Sequence, residues 1–86
     1  MSANEQVKVY GADWCEDTQA TRNHLDSFGV AYRYINVEQD RAAEEWIKQQ
    51  NRGKRQTPTV DIQGKILIEP DEKELEEALR GTGLMS

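Results

Sequence analysis

An α/β fold with the element order βαβαββα, a four-stranded mixed sheet flanked by helices, is what this 86-residue sequence predicts. Three observations carry that expectation. Short alternating apolar runs take turns with longer runs of helical periodicity. Two of the apolar runs, Thr59 to Ile62 and Lys65 to Ile68, are separated only by Gln63-Gly64, a two-residue hairpin connection. Asp71-Glu72-Lys73-Glu74 has the form of a capping box, with aspartate as the cap of a last helix.

Each element has a local reason. Val7-Lys8-Val9-Tyr10 alternates apolar and polar and stops at Gly11, as a short strand does. Glu16 to Ser27 suits a helix, because Thr21, Leu25 and Phe28 recur at i, i+4 and i+7, and Gly29 ends it. Tyr32 to Val37 is a second strand. Asp40 caps a second helix, Arg41 to about Asn51, with Ala43, Trp46 and Ile47 on its inner stripe. Asn51-Arg52-Gly53-Lys54-Arg55 is a basic loop leading to the hairpin, whose strands are antiparallel. The last helix turns Leu75, Ala78 and Leu79 inward and stops at Gly81. A right-handed βαβ crossover makes the first two strands parallel, so the sheet is mixed. No linker, repeat or low-complexity run divides the chain, and residues 1–86 read as one domain.

Composition narrows the classes of function. At this length folding buries about two-thirds of the unfolded surface. The expected core is Val7, Val9, Leu25, Phe28, Ile35, Val37, Trp46, Ile47, Val60, Ile62, Ile66, Ile68, Leu75 and Leu79. Sixteen acidic residues against eleven basic ones give a net charge of −5, which repels phosphate backbones and counts against general nucleic-acid binding. No apolar run approaches the roughly 18 residues of a membrane helix. Met1-Ser2-Ala3-Asn4-Glu5-Gln6 lacks the apolar centre of a signal peptide. One cysteine and one histidine make no zinc-type ligand cluster, and no metal site is expected. An unpaired thiol fits a reducing cytoplasm.

The chemistry gathers at Trp14-Cys15-Glu16-Asp17-Thr18, outside the carboxyl end of the first strand, where open α/β sheets place their sites. Cys15, the only cysteine, falls at the start of the first helix. Free backbone N–H groups and the positive end of the helix dipole favour a thiolate there, while Glu16 and Asp17 oppose it. Cys15 reads as a nucleophile or as a small buried filler. Thr18, one turn on, either donates a hydrogen bond to the thiolate or sits on the exposed part of the first turn. Trp14 lies over the rim of the site or in the core. Pro58 permits a cis peptide that leaves the Thr57 backbone as a strand-like edge for an incoming peptide-like thiol; a trans proline opening a strand is the other reading. Of the basic loop, Arg55 has the better claim to a ligand carboxylate, with Arg52 and Lys54 solvated. His24 lies nine residues along the helix, about 13 Å from Cys15 and too far to activate it.

From about Gln6 to Leu79 the chain resembles the glutaredoxin branch of the thioredoxin-fold proteins. The resemblance rests on Val7-Lys8-Val9-Tyr10, Trp14-Cys15-x-x-Thr18, Thr57-Pro58-Thr59-Val60 and the hairpin with Gly64. Asn51-Arg52-Gly53-Lys54-Arg55 with Glu69-Pro70-Asp71 is most similar to mycoredoxin-type glutaredoxins. It implies that Cys15 is the nucleophile with Thr18 beside it and that Pro58 is cis. It also implies that Trp14, Arg55, Thr57, Pro58 and Asp71 border a low-molecular-weight thiol, glutathione or another, used as co-substrate with no tightly bound cofactor. The sequence departs from the family in three respects: Thr18 replaces the second cysteine, Ala12 stands where many members have lysine, and Ile68-Glu69 replaces a Gly-Gly.

The expected function is therefore a cytoplasmic, monomeric, monothiol thiol–disulfide oxidoreductase acting on protein disulfides or mixed disulfides, without nucleic acid or membrane. Two alternatives differ in class: an iron–sulfur carrier in which two chains and two small thiols supply four sulfurs, and a non-catalytic adaptor that binds partners at the Thr57 edge.

Overall fold

The structure, a computed structural model, describes residues 6–85. The segment read above as lacking a signal peptide's apolar centre therefore lies, apart from Gln6, outside the described residues. The elements are β1 (Val7–Gly11), α1 (Glu16–Ser27), β2 (Arg33–Asn36), α2 (Arg41–Gln50), β3 (Thr59–Ile62), β4 (Lys65–Ile68) and α3 (Glu72–Gly81). They form the predicted βαβαββα order on a four-stranded mixed sheet, with strands in the spatial order β2-β1-β3-β4. β1 runs parallel to β2 and antiparallel to β3, and β3 pairs antiparallel with β4.

Local chemistry explains the element ends. Asp40 accepts from the Ala43 N–H and caps α2. At α3 both halves of the capping box form: Asp71 Oδ1 accepts from the Glu74 N–H at 2.8 Å, and Glu74 Oε1 accepts from the Asp71 N–H at 2.9 Å. Gln63 and Gly64 both take positive φ, 53° and 93°, the geometry that a two-residue hairpin needs to match strand twist. β2 is shorter at both ends than the pattern Tyr32 to Val37 suggests. Val37 instead leaves the ladder, donates its N–H to Gly11 O at 2.9 Å and buries its side chain.

Two apolar clusters sandwich the sheet. Val7, Val9, Val60 and Ile62 lie on one face under Leu25 of α1 and Leu75, Ala78 and Leu79 of α3. Ala43 and Ile47 of α2 pack with Val37, Tyr10, Ile35 and Trp46 on the other. Full burial of each large apolar side chain contributes about 1.5–3 kcal/mol. Leu25, Ile47, Leu75 and Leu79 are all fully buried, so every helix is anchored by at least one such side chain.

The expected core needs correction at its margins. Phe28, Ile35, Trp46, Ile66 and Ile68 are only half-buried. The register explains the last two. Leu67 lies opposite Val60, itself opposite Val9, on the face that α1 and α3 cover. Ile66 and Ile68 project to the α2 face, where the single helix packs over the β1–β2 half and leaves the β4 edge half-covered. Trp46 stacks on Tyr10, ring centroids 4.7 Å apart, at the border of the smaller cluster.

Candidate functional site

Parallel pairing brings the carboxyl ends of β1 and β2 together, and α1 starts from that end. Cys15 is the N-cap of α1, with extended backbone (φ −81°, ψ 120°), and its side chain makes no cap hydrogen bond. The loop ahead of it is pinned. The Cys15 N–H donates to Ala12 O at 3.1 Å, and Gln19 Nε2 donates to Asp13 O at 3.0 Å. Tyr34 Oη donates to Asp13 Oδ1 at 2.7 Å, and the Arg22 guanidinium lies 3.9 Å over the Tyr34 ring. Burial and the bond to Asp13 push the Tyr34 phenol up to about 12, so it remains a donor across the physiological range.

The β3 side closes on the sulfur. The Thr57–Pro58 peptide is cis, as the resemblance implies, and Pro58 is buried. Thr57 Oγ1 donates to Cys15 Sγ at 3.5 Å, and in the thiol form Sγ–H donates to Thr57 O at 3.7 Å. The Thr57 N–H makes no hydrogen bond among the described residues. Cys15 itself is part-exposed, not a buried filler.

Thr18 is fully buried, which removes the reading of it as an exposed first-turn residue. Its Oγ1 accepts from the Ala12 N–H at 3.4 Å, leaving the hydroxyl hydrogen to donate toward the sulfur. Burial raises the Cys15 pKa. The Thr57 hydroxyl donates to the sulfur, and the Thr18 hydroxyl and the N–H groups of Thr18 and Asp17 stand near it without closing a cap hydrogen bond; their combined pull outweighs burial and holds the thiol below its ordinary value. Glu16 and Asp17 are exposed, and water screens their expected opposition, so it does not decide the sign.

Trp14 is 68% exposed, on the rim rather than in the core. Its Nε1 donates to Glu38 Oε2 at 2.7 Å, and Arg55 Nη2 donates to the same oxygen at 3.3 Å. Arg55 Nε also faces Glu44 Oε2 at 3.7 Å. Trp14 and Arg55 together hold the Glu38 carboxyl below its ordinary range. The structure thus brings Trp14, Cys15, Thr18, Arg55, Thr57 and Pro58 to one end of the sheet. Asp71 lies apart from the sulfur contacts, with its N–H and one carboxylate oxygen committed to the cap of α3. It lines a groove of about 220 Å³ between α1 and the β4–α3 turn, with Asp17, Thr21, His24, Glu69 and Glu72 among its walls. His24 sits at that boundary, 4.0 Å from Glu72 Oε2. Glu69 adopts φ 50°, a left-handed conformation that glycine takes more readily, while its N–H donates to Pro58 O at 2.8 Å. Among the described residues no group of three or more His, Cys, Asp or Glu is placed to hold a metal ion.

Sequence reasoning missed Glu38, Glu44 and Gly11. For Glu38 a signal existed, since a parallel β1–β2 pair must place the residues after β2 beside Trp14. Gly11 carried none: a Cβ there would lie 2.5 Å from Thr18 Cγ2, a clash visible only after the loop folds back.

The chain was compared with known proteins. The family model for glutaredoxin matches residues 7–67. Mycoredoxin 1 of Corynebacterium glutamicum is 43% identical over 54 residues, 63% of this chain, which spans 66% of that relative's length. A Mycobacterium tuberculosis protein named as a glutaredoxin is 31% identical over 85% of this chain and 88% of its own. The crystal structure of a glutaredoxin from Archaeoglobus fulgidus superimposes with a TM-score of 0.78 at 25% identity, covering 88% of this chain and 87% of that one.

Proposed function

Because the chain belongs to the glutaredoxin family, we propose that it exchanges mixed disulfides between proteins and a low-molecular-weight thiol through Cys15 alone. The observation that carries this reading is the sulfur's setting: a part-exposed thiol at a helix N-terminus, donated to by the Thr57 hydroxyl at 3.5 Å. With one cysteine in the chain, every disulfide it makes is intermolecular.

The Cys15 thiolate attacks the small-thiol sulfur of a protein mixed disulfide. The bond from Cys15 to that sulfur forms, the original disulfide bond breaks, and the protein thiolate leaves. A second small thiol, as thiolate, then attacks the small-thiol sulfur on Cys15, releasing a small-molecule disulfide and restoring Cys15. Thr57 and Thr18 hydroxyls stabilise the Cys15 thiolate both before attack and as leaving group. The uncommitted Thr57 N–H offers an incoming peptide-like thiol a strand-type hydrogen bond. Trp14 forms the exposed rim, Pro58 shapes the turn, and Arg55 and Asp71 border the bound small thiol at opposite sides. The unpaired thiol further supports work in a reducing cytoplasm. Among the described residues no helix is long and apolar enough to cross a membrane.

Turnover of glutathionylated and mycothiolated model substrates tests this directly. The chain is expected to deglutathionylate or demycothiolate its substrate, and Cys15→Ser to lose all activity above background. Equal rates for the two would sink the proposal.

A further inference from the structure

Arg55 is a guanidinium tied to Cys15 from two directions. Through Glu38 it is linked to Trp14, the neighbour of Cys15, and two residues further along its own loop Thr57 touches the sulfur. That cation is already faced by two carboxylates. Glu38 Oε2 accepts from it at 3.3 Å and Glu44 Oε2 lies 3.7 Å from its Nε. One positive charge between two negative ones leaves a local charge of −1. Glu38 is also fixed in place: its N–H is bonded to Asn36 Oδ1 at 2.9 Å and its carboxylate to the Trp14 indole at 2.7 Å. Near the mouth of the site stand the exposed carboxylates Asp13, Glu16 and Asp17, with Arg22 behind Asp13 across the Tyr34 ring, and Glu69, Asp71 and Glu72 stand around the adjoining groove. Arg52 and Lys54 lie exposed on the Arg55 loop, without a bond to Trp14 or Glu38 among the described residues.

Exposed ion pairs of this kind contribute little to stability. Their effect on which charged molecule approaches the sulfur is larger, because potentials act on encounter rates directly. A ligand carboxylate reaching for Arg55 finds Nη2 and Nε already faced by Glu38 and Glu44, and meets the repulsion of both carboxylates. We propose that Glu38 is a specificity-determining residue: by occupying Arg55 it makes Cys15 discriminate against anionic small-molecule disulfides and favour neutral or cationic ones. This rests on Cys15 being the exchanging thiol. It assigns Glu38 a positioning role through Arg55 and no part in the chemical step.

The test uses two symmetric disulfides of opposite charge, glutathione disulfide and cystamine, at low ionic strength. In each, the Cys15 thiolate attacks one sulfur, a Cys15 mixed disulfide forms, and the other half leaves as a thiolate that takes a proton from water. Second-order rates are read by intact mass after acid quenching, and each is divided by the rate of the urea-unfolded chain with the same disulfide. For the unaltered chain this normalised rate is expected to be higher for cystamine. Glu38→Gln is expected to raise the glutathione disulfide rate roughly three- to tenfold and the cystamine rate not at all. In an Arg55→Gln background the same substitution is expected to give no such gain. An unchanged preference in Glu38→Gln overturns the inference. So does an equal gain with and without Arg55, which would reflect only the loss of a negative charge. A folded chain that reacts with neither disulfide while its unfolded form reacts with both would instead refute the exchange function itself.

Discussion

Two regions meet at Cys15 and work by different physics. On one side Thr18, Thr57 and the first N–H groups of α1 surround the sulfur with neutral donors, and Thr18 is fully buried. On the other, Trp14, Glu38, Arg55 and Glu44 form an exposed network of charges. Neutral donors at contact distance act on the sulfur alone and are little affected by salt. Exposed charges act over about a Debye length, roughly 8–10 Å in ordinary buffers, and are screened. In the proposed exchange reaction the first region would set how reactive the thiol is, and the second what reaches it.

The most disruptive way to break that division is to press on the buried region. Gly11→Ala places a Cβ 2.5 Å from Thr18 Cγ2 and 2.6 Å from its Oγ1. Overpacking of this kind costs about 1–3 kcal/mol, read as a lower urea midpoint, and pairing it with Thr18→Ala should recover most of the loss. If Gly11→Ala unfolds at the same urea concentration as the parent, Thr18 is not wedged as described.

A subtler change separates reactivity from packing. Thr57→Val keeps the shape but removes the donor to the sulfur. The folded thiol sits below its ordinary value, so the thiolate contributes stability above the pKa of the unfolded thiol. That contribution is lost as pH falls through the folded value. Iodoacetamide alkylation of the native chain should accordingly rise at lower pH than alkylation in urea. Thr57→Val should move the native profile back toward the unfolded one and slow alkylation at pH 7 roughly two- to tenfold, the weight of one hydrogen bond. Profiles that coincide for the native and unfolded parent would show that donation does no more than cancel burial, and a native profile displaced to higher pH would show that burial dominates.

The smallest effect is expected from the charged side. Glu44→Gln removes one carboxylate from Arg55 and should lower the stability read from urea unfolding by no more than about 1 kcal/mol, a loss that salt screening should abolish. A larger or salt-insensitive loss would mean that this network holds the fold together and does not merely tune the approach to it.

Much of this was legible before any coordinates. Gln63-Gly64 specified the hairpin, Asp40 and Asp71 marked two helix starts, and Cys15 before a helix marked the thiol. These signals are local, carried by residues within a turn of one another, so pattern and propensity suffice. Ile66 and Ile68 are half-covered where the apolar pattern predicts full core, because which face of an edge strand is covered depends on how far α2 extends across the sheet. Thr18 could not be placed from spacing alone, since its burial depends on the backbone doubling back at Ala12 against a glycine.

The sequence by itself determined the order of elements, the absence of any internal disulfide partner and the position of the one thiol. Those follow from periodicity, caps, turn residues and a cysteine count. Only the tertiary structure decided what surrounds that thiol: Thr57 arrives from 42 residues away to donate to the sulfur, and Glu38 from 24 residues away to hold Trp14 and then Arg55. Hydrogen bonds and ion pairs depend on distances of a few ångströms between chain-distant groups. Such distances are fixed by strand order and core packing, so the lone cysteine could be found in the sequence while its reactivity and its selectivity could not.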